Sequence, residues 1–309
     1  MPIHVETITP LAGLSFRLLR WRDNLREVEQ FTADGRVSPF EGAGDHWHLH
    51  REMDLTFIER GSGLLLVGDH IAQLHGPELT LLGAHLPHCI RGLTGSTGIS
   101  MQFHWPLEHP VRAFPEFVLL EPLWERARRG RLFGAATIAR IRPLLAALPD
   151  SSAAARLGLL LQILAALVAA PPSQMTVLSK LEFAVQEGER HQAGVGRVIR
   201  RVLEEYAEPL PLSEALGLAG MSKASFERQF PRYTGCTFTA FLNRVRLDHA
   251  RQLLLGSVDS ISAIAYATGF NHLSHFNRLY RRRFGQTPSA DRARNPHHSR
   301  PVWQPGVDS

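Results

Sequence analysis

The C-terminal fold is decided by residues 259–285, which read DSISAIAYATGFNHLSHFNRLYRRRFG. Apolar residues recur at helical spacing in the first third of this stretch and predict a short helix with one apolar face. Asp259 and Ser260 stand at the N-cap position of that helix. Gly269 then supplies the joint to a second helix, because glycine tolerates the positive φ that a tight turn requires.

The second predicted helix, residues 273–284, has two different faces. Its apolar face comprises Leu273, Phe276, Tyr280 and Phe284. The opposite face is polar and basic, and it comprises Ser274, Asn277, Arg278, Arg281 and Arg282. A short buried helix, a glycine turn and a helix with a basic outer face are typical of the helix-turn-helix motif that enters the DNA major groove. A solvated amphipathic helix pair is the alternative interpretation.

The same pattern occurs a second time in residues 211–230, PLSEALGLAGMSKASFERQF. A short apolar helix is followed by Gly220 and by a helix with Phe226 and Phe230 on its apolar face. The opposite face of that helix carries Ala224, Ser225, Arg228 and Arg232. Two copies of the motif favour DNA binding over the solvated helix pair.

A helical segment, residues 238–255, connects the two motifs. Its 18 positions span about 27 Å at a rise of about 1.5 Å per residue. That length is close to the ~34 Å that separates successive major-groove faces on one side of B-DNA. A stiff helix of this length lets both second helices bind one face of a duplex in neighbouring turns.

Composition and charge agree with a two-domain soluble DNA-binding protein. The chain has 309 residues and a formal net charge of +5. Residues 195–295 hold 15 Lys+Arg against 8 Asp+Glu, so the basic excess coincides with the helix pairs, where a phosphate-bearing partner would explain it. The two cysteines, the lack of a signal segment and the shortness of the most apolar run favour a cytoplasmic protein without a membrane segment.

The N-terminal part shows a β pattern between about residues 42 and 105. Short apolar or alternating runs, bounded by turn residues, predict the strands Leu55–Ile58, Gly63–Val67 and Leu79–Leu82. Regular short strands of this kind favour a small barrel or sandwich. The region then becomes helical, with predicted helices over residues 135–148 and 153–170 and a predicted linker over residues 192–196.

Four polar residues in this β region stand at spacings that resemble the cupin superfamily. Gly42, His48, His50, Asp54 and Gly61 match its first signature, with Asp54 where the family usually has Glu. His88 stands at the histidine of the second signature, whose preceding glycine is replaced in this chain.

Residues two apart on a strand point to the same face, so His48 and His50 are expected to share one face of the sheet. With Asp54 and His88 they form an N/N/N/O set that suits a first-row divalent metal, which cupin enzymes hold there. The alternatives are a metal-free effector pocket and histidines that simply pack and hydrogen-bond inside the barrel.

Residues 195–293 resemble the DNA-binding domain of AraC/XylS-type transcriptional regulators. The resemblance is carried by Gly220-Met-Ser222, Tyr233-Thr-Gly235, Arg244-Val-Arg-Leu247, Ala250-Arg-Gln-Leu-Leu254, Gly269-Phe270 and Arg283-Phe-Gly-Gln-Thr-Pro-Ser289. It implies an α+β multidomain fold. The expected parts are a cupin-like β-barrel with trailing helices in a ligand-sensing domain at 1–190, an all-α double helix-turn-helix domain at 195–293, and a disordered tail at 294–309.

This resemblance implies a sequence-specific regulator of transcription, with activation as the expected mode of action, and not an enzyme. Arg228 and Arg278 are the expected base readers, because arginine bonds bidentately to guanine. Other basic residues are expected to contact phosphates and set the register. The full predicted DNA-binding set is Ser222, Lys223, Ala224, Ser225, Arg228, Arg232, His272, Ser274, His275, Asn277, Arg278, Arg281 and Arg282.

The expected partners are double-stranded promoter DNA, a small-molecule effector such as a sugar or related metabolite, and RNA polymerase if the protein activates. The predicted effector-binding residues are His48, His50, Asp54 and His88. No cofactor is expected, unless these residues hold a divalent metal. The leucine stripe of residues 157–168 forms either a core edge or a homodimer seam.

Two other classes of function compete with the regulator. One is a metal-dependent cupin enzyme fused to a DNA-binding module, and the other is an architectural DNA binder with a vestigial barrel. Bound metal together with substrate turnover would identify the enzyme, and insensitivity of promoter affinity to every small molecule would identify the architectural protein.

Overall fold

A computed structural model describes residues 4–6, 8, 11–25, 27–42, 44–180 and 189–294. A region rich in β-strands is followed by short helices and then by an all-helical region. The strands are β1 (His4–Val5), β2 (Arg17–Asp23), β3 (Val28–Phe31), β4 (Val37–Phe40), β5 (His48–Leu49), β6 (Met53–Val67), β7 (His70–His75), β8 (Glu78–Leu82), β9 (His88–Phe103), β10 (Arg131–Phe133) and β11 (Met175–Val177). The helices are α1 (Pro122–Ala127), α2 (Ala135–Ala147), α3 (Ala153–Val168), α4 (Glu189–Glu204), α5 (Leu212–Ala219), α6 (Lys223–Thr234), α7 (Phe238–Gly256), α8 (Ile261–Ala267), α9 (Leu273–Phe284) and α10 (Pro288–Arg294).

The long strands β6 and β9 organise the sheet. They pair with each other along most of their length, and the strands follow one another in the order β11-β10-β8-β6-β9-β2-β3-β4. The short strand β5 pairs with β9 and with β1, and β7 pairs with β6. The strand prediction at Leu79–Leu82 is confirmed by β8. The two strands predicted over residues 55–58 and 63–67 are one strand, β6, whose register with β9 shifts between Ile58 and Leu64.

Helices α1 to α3 cover the sheet and complete its core. Leu160, Ile163, Leu164 and Leu167 of α3 are fully buried in one hydrophobic cluster with strand residues such as Leu55. The leucine stripe of α3 is therefore a core edge within the chain rather than an exposed seam. Ser152 caps this helix by accepting a hydrogen bond from the backbone N–H of Ala155.

The predicted linker over residues 192–196 is wrong, because these residues lie inside α4. Gly194 is buried against the α5 carboxyl end, where a Cβ atom would lie 2.3 Å from the carbonyl oxygen of Ala219. The glycine therefore permits close helix packing rather than flexibility. The division at residues 190–195 stays a prediction, and the predicted tail lies outside the described residues except for residue 294, which ends α10.

Two helix pairs follow α4, as predicted. In the first pair Gly220 ends α5 with φ of 64°, and in the second Gly269 follows α8 with φ of 84°. Ser222 caps α6 and Ser260 caps α8, each by accepting a backbone N–H in the first turn of its helix. The long helix α7 connects the pairs, in agreement with the sequence.

The helical region contains two hydrophobic cores. The core of the first pair includes Phe226, Phe230 and Phe241, and it continues into side chains of the sheet. The core of the second pair includes Phe276 and Tyr280 and is a separate cluster. Helix α7 contributes to both cores along its length.

Candidate nucleic-acid interface and internal pocket

The inner face of α9 fixes this helix to its neighbours. Phe276 and Tyr280 are fully buried. The Tyr280 hydroxyl donates to the Asp291 carboxylate at 2.7 Å, and Arg251 of α7 donates to the same carboxylate at 2.8 Å. Burial and this carboxylate raise the pKa of Tyr280. The helix is thus held by both apolar packing and a buried polar network.

The outer face of α9 is open to solvent, as predicted. Arg278 donates from Nη2 to Nδ1 of His275 at 3.1 Å, so these two side chains lie together on the surface. By contrast, Arg283 turns inward and lies beside Asp248, at 2.5 Å between Nη2 and Oδ2. The exposed members of the predicted set in this pair are His272, Ser274, His275, Asn277, Arg278, Arg281 and Arg282.

Helix α6 has the same organisation. Phe226 and Phe230 are buried on its inner face. The Ser222 hydroxyl caps the helix by accepting from the backbone N–H of Ser225, and Ser225 itself is half-buried. Glu227 lies 3.9 Å from Lys223, an exposed pair that contributes little to stability. The exposed members of the predicted set in this pair are Ser222, Lys223, Ala224, Arg228 and Arg232.

The three predicted histidines meet inside the sheet region. His48 of β5 pairs directly with His88 of β9, and their ring centroids are 4.3 Å apart. His50 completes the group, with centroids 5.6 Å from His48 and 5.0 Å from His88. All three side chains are buried, and one ring nitrogen from each lies within 4.8 Å of the others.

Backbone carbonyls fix the orientation of each ring. Nδ1 of His48 lies 2.8 Å from the carbonyl oxygen of residue 46, Nδ1 of His50 lies 3.0 Å from that of residue 52, and Nδ1 of His88 lies 2.8 Å from that of residue 86. Because a carbonyl oxygen can only accept, each Nδ1 carries the proton. In the neutral rings the lone pair is then on Nε2, where it can accept a hydrogen bond or bind a metal.

Asp54 lies next to the histidines but is held by other side chains. Its carboxylate accepts hydrogen bonds from Thr56, Ser100 and Gln102, and Oδ2 lies 3.8 Å from Nε2 of His50. These three donors were not predicted from the sequence. Asp54 therefore belongs to the pocket, although it does not join the three histidines as a potential metal ligand.

The pocket perturbs the protonation of its residues. Burial, with the charges of the neighbouring rings, lowers the pKa of His48 well below its usual value and that of His88 to about 4. Burial also acts on His50, but the Asp54 carboxylate outweighs it and raises the pKa of that ring. Although burial opposes it, the contact with His50 lowers the pKa of Asp54, which is therefore ionised at neutral pH.

The remaining walls make a small cavity of ≈ 80 Å³. Apolar side chains such as Trp21 and Phe40 form one part of the lining, and Glu6 lies on the polar side with Oε2 3.7 Å from Nε2 of His48. Among the described residues that line the cavity, none is Lys or Arg. The pocket therefore presents hydrogen-bond acceptors and negative charge to a ligand. This combination disfavours an anionic ligand.

Comparisons with known proteins bear on the C-terminal part. A family model described as "Helix-turn-helix domain" matches residues 217–294. The HTH-type transcriptional regulator GlxA of Rhizobium meliloti (strain 1021) is 34% identical over 124 residues, which are 40% of this chain and 32% of that protein. The HTH-type transcriptional activator RhaS of Escherichia fergusonii is 32% identical over 115 residues, 37% of this chain and 41% of that protein.

Among solved structures, the chain is similar to a probable AraC family transcriptional regulator from Rhodopseudomonas palustris CGA009. The two are 33% identical, and the match covers 33% of this chain and 96% of the solved chain (TM-score 0.32). The C-terminal part of this chain belongs to the AraC family. The chain is also similar to the DNA-binding domain of AdpA, solved in complex with a target DNA, at 27% identity over 34% of this chain and 96% of that chain (TM-score 0.33).

The matches cover less than half of each full-length relative. The chain spans 32% and 41% of the lengths of GlxA and RhaS, so the matches concern the AraC-type domain. These relatives are transcriptional regulators rather than enzymes, which agrees with the expectation from the sequence. In the part of the chain that the structure describes, none of the helices is both long and apolar enough to cross a bilayer.

Proposed function

We propose that this protein is a sequence-specific DNA-binding regulator of transcription that responds to a small effector. The observation that carries the proposal is the pair of helices α6 and α9, each buried on an aromatic inner face and exposed on a basic outer face. The AraC-type domain of residues 217–294 supports DNA as the partner. In this proposal both helix pairs are helix-turn-helix motifs, and Arg228 and Arg278 read bases.

We further propose that the N-terminal sheet region is a cupin-like barrel and that its internal cavity binds the effector. Three acceptor groups line this cavity, namely Nε2 of His48, Nε2 of His88 and the carboxylate of Asp54. A ligand rich in hydrogen-bond donors, either neutral or cationic, complements this set. A cavity of ≈ 80 Å³ has room for a few waters or a very small ligand, so a sugar would require the pocket to widen.

A divalent metal ion is the second candidate occupant, and the fixed Nδ1–H orientation of the three rings favours it. His48, His50 and His88 would hold the ion, and the ion would supply positive charge to a cavity whose described lining residues include no Lys or Arg. Tetrahedral zinc at ~2.0–2.1 Å from each nitrogen requires the nitrogens to approach to about 3.3 Å of each other. The pocket would therefore have to contract from its present spacing of up to 4.8 Å.

The experiment that tests DNA binding is selection of duplexes from a random library by the full chain at about 0.15 M salt. We expect a selected duplex to bind at least about 10³-fold more tightly than random DNA, as specific sites do. Footprinting should then show two protected half-sites on one face of the duplex, one for each helix pair. Equal affinity for selected and random DNA would refute the proposal.

The pocket is tested by thermal unfolding of the full chain with Zn²⁺ and with a panel of small polyols and amines. A ligand that binds the folded state raises the unfolding midpoint. His50→Gln should abolish the shift, whereas His46→Gln, at an exposed position four residues earlier, should keep it. A shift that survives His50→Gln places the ligand elsewhere. A shift with Zn²⁺ alone identifies the metal as the occupant.

If the protein activates transcription, contact with RNA polymerase is also required, and that contact and a homodimer remain predictions from the sequence. An effector that binds the pocket should change the affinity of the full chain for the selected duplex. An unchanged affinity with the pocket saturated would favour the architectural alternative.

A further inference from the structure

Strand β7 at the edge of the sheet region is hydrogen-bonded to the helix that connects the two helix pairs. Gln73 of β7 donates from Nε2 to the backbone carbonyl of Asp248 in α7 at 2.8 Å. Arg244 of α7 donates from Nη1 to the carbonyl of Asp69, just before β7, at 2.9 Å. These bonds tie the middle of α7 to the edge of the sheet.

The same strand also holds the second recognition helix. Arg283 of α9 donates from Nη2 to the backbone carbonyl of Ile71 at 2.5 Å, and the same nitrogen lies 2.5 Å from the Asp248 carboxylate. Arg283 follows Phe276 and Tyr280 at helical spacing on the inner face, so its charge faces the protein rather than the outer face that carries Arg278. Arg283 therefore joins three elements, α9, α7 and β7.

Apolar side chains hold the first helix pair to the sheet. Trp47, Leu49, Leu66, Ile71 and Cys89 of the sheet region belong to one buried hydrophobic cluster with residues of α4 to α7. The cluster members from the helices include Val198 of α4, Ala219 of α5, Phe226 and Phe230 of α6, and Phe241 of α7. The sheet thus contacts the first pair through a shared core and the second pair through the contacts of β7.

These contacts matter because the two helix pairs have separate cores. They are joined by α7 and by a local contact in which Gly269 packs against the loop after α4. A hinge between such halves would let α6 and α9 change their separation. The β7 contacts restrain that motion, and they do so without covering the exposed faces that carry Arg228 and Arg278.

Resting on the proposed function, we infer that β7 and Arg283 set the distance between the two DNA half-sites. Arg283 acts as a positioning residue that fixes α9 relative to α6 through the sheet, and it does not contact the DNA. The N-terminal region thereby contributes to operator recognition through the spacing of the half-sites, in addition to binding the effector.

The test uses the full chain and the duplex that it selects, together with duplexes that have one base pair inserted or removed between the half-sites. The first variant combines Arg283→Met with Asp248→Asn, so that no buried carboxylate loses its partner. The second is Gln73→Ala, which leaves the AraC-type domain unchanged, and exposed Gln162 of α3 supplies its matched control, Gln162→Ala.

We expect wild type and Gln162→Ala to prefer the original spacing strongly. The preference is the ratio of affinities for the original and the altered spacing. The double variant should reduce this ratio about tenfold, the effect of about one charge-assisted hydrogen bond, and Gln73→Ala should reduce it about three-fold. The salt dependence of binding should stay unchanged in both, because loss of a phosphate contact would lower the slope by about 0.9. Circular dichroism and the unfolding midpoint confirm that each variant is folded before binding is measured.

An unchanged spacing preference in both variants would overturn the inference, and so would a salt slope that falls by about one in the double variant, since Arg283 would then contact phosphate. If the wild-type chain selects no duplex, the proposed function fails together with the inference. If it selects a duplex and the variants keep the spacing preference, the inference alone fails.

Discussion

Replacing Arg278 by alanine should remove sequence discrimination at one position of the DNA site while leaving the fold intact. Arg278 is exposed on the outer face of α9, where its guanidinium donates to His275. Its removal leaves no buried group without a partner, so the free energy of unfolding should change by less than about 0.5 kcal/mol. On DNA, a bidentate contact with guanine is worth ~1–3 kcal/mol of discrimination, or roughly 5- to 150-fold in affinity.

Arg282→Ala provides the contrasting variant, because Arg282 is exposed on the same helix and is expected to meet a phosphate. Its loss should weaken binding to every sequence by a similar factor and reduce the slope of log affinity against log salt by about 0.9. Arg140→Ala, at an exposed position on α2, removes the same charge far from the predicted interface and controls for the change in net charge.

The assay is a set of fluorescence-anisotropy titrations with the selected duplex and with duplexes in which each guanine is replaced in turn, at several salt concentrations. Arg278→Ala should bind one substituted duplex as tightly as the original, whereas wild type should not. If Arg278→Ala loses the same factor on all duplexes, and no position becomes tolerant, Arg278 does not read a base and the assignment of α9 as a reader is wrong.

Three further predictions concern stability. Phe276 is fully buried in the second core, so Phe276→Ala should lower the free energy of unfolding by about 3–5 kcal/mol, as measured by denaturant unfolding of the full chain. Gly269→Ala should reduce the free energy of unfolding more than Gly285→Ala, because a Cβ at 269 would lie 2.6 Å from a carbonyl oxygen whereas a Cβ at 285 meets nothing within 4 Å. Gly285→Ala therefore measures the ~1–2 kcal/mol cost of positive φ alone. Equal losses in the two variants would refute the close contact. Burial, with the charge of Arg91, lowers the pKa of His249 to about 4, so its stabilising contribution is complete above pH 6.5 and is lost as the pH falls towards 4. His249→Gln should therefore reduce the loss of stability between pH 7 and pH 4 by about 2 kcal/mol, allowing for partial exposure, and an identical pH profile in both proteins would contradict this.

The helix pairs could be predicted closely because local signals determine them. The bounds of α9 agree with the sequence, since Gly269 and Gly285 mark its two sides and Phe276 and Tyr280 mark its inner face. The inward position of Arg283 does not follow from composition, because it is the last of three successive arginines. Its spacing from Phe276 and Tyr280, seven and three residues, was the signal that it belongs to the inner face.

Glycine is harder to interpret from sequence, because it serves both turns with positive φ and close helix packing. The glycine-containing stretch at 192–196 predicts a flexible linker by its local pattern, yet Gly194 is needed where α4 approaches the carbonyl of Ala219. A contact of this kind joins segments far apart in the sequence. It is therefore invisible to an analysis of local pattern, whereas the turn at Gly220 depends on its own backbone conformation.

The sequence predicts the histidines of the pocket, but it does not predict the side chains that hold the Asp54 carboxylate. Thr56, Ser100 and Gln102, which hold the Asp54 carboxylate, leave only a weak signal, namely polar residues two apart within otherwise apolar strands. Pairing of β6 with β9 places Asp54 beside Gln102 and Thr56 beside Ser100. Without that register, the four polar residues could not be assigned to one network.

The wall between the pocket and the helices is a single layer of backbone. His48 and His88 face the cavity, while their immediate neighbours Trp47, Leu49 and Cys89 belong to the core shared with α4 to α7. The two parts of this chain are consequently poor candidates for free exchange with other proteins. A chimaera that joins this sheet region to a foreign helical domain must also carry matching partners for those three outward side chains, or it will expose an apolar surface and aggregate.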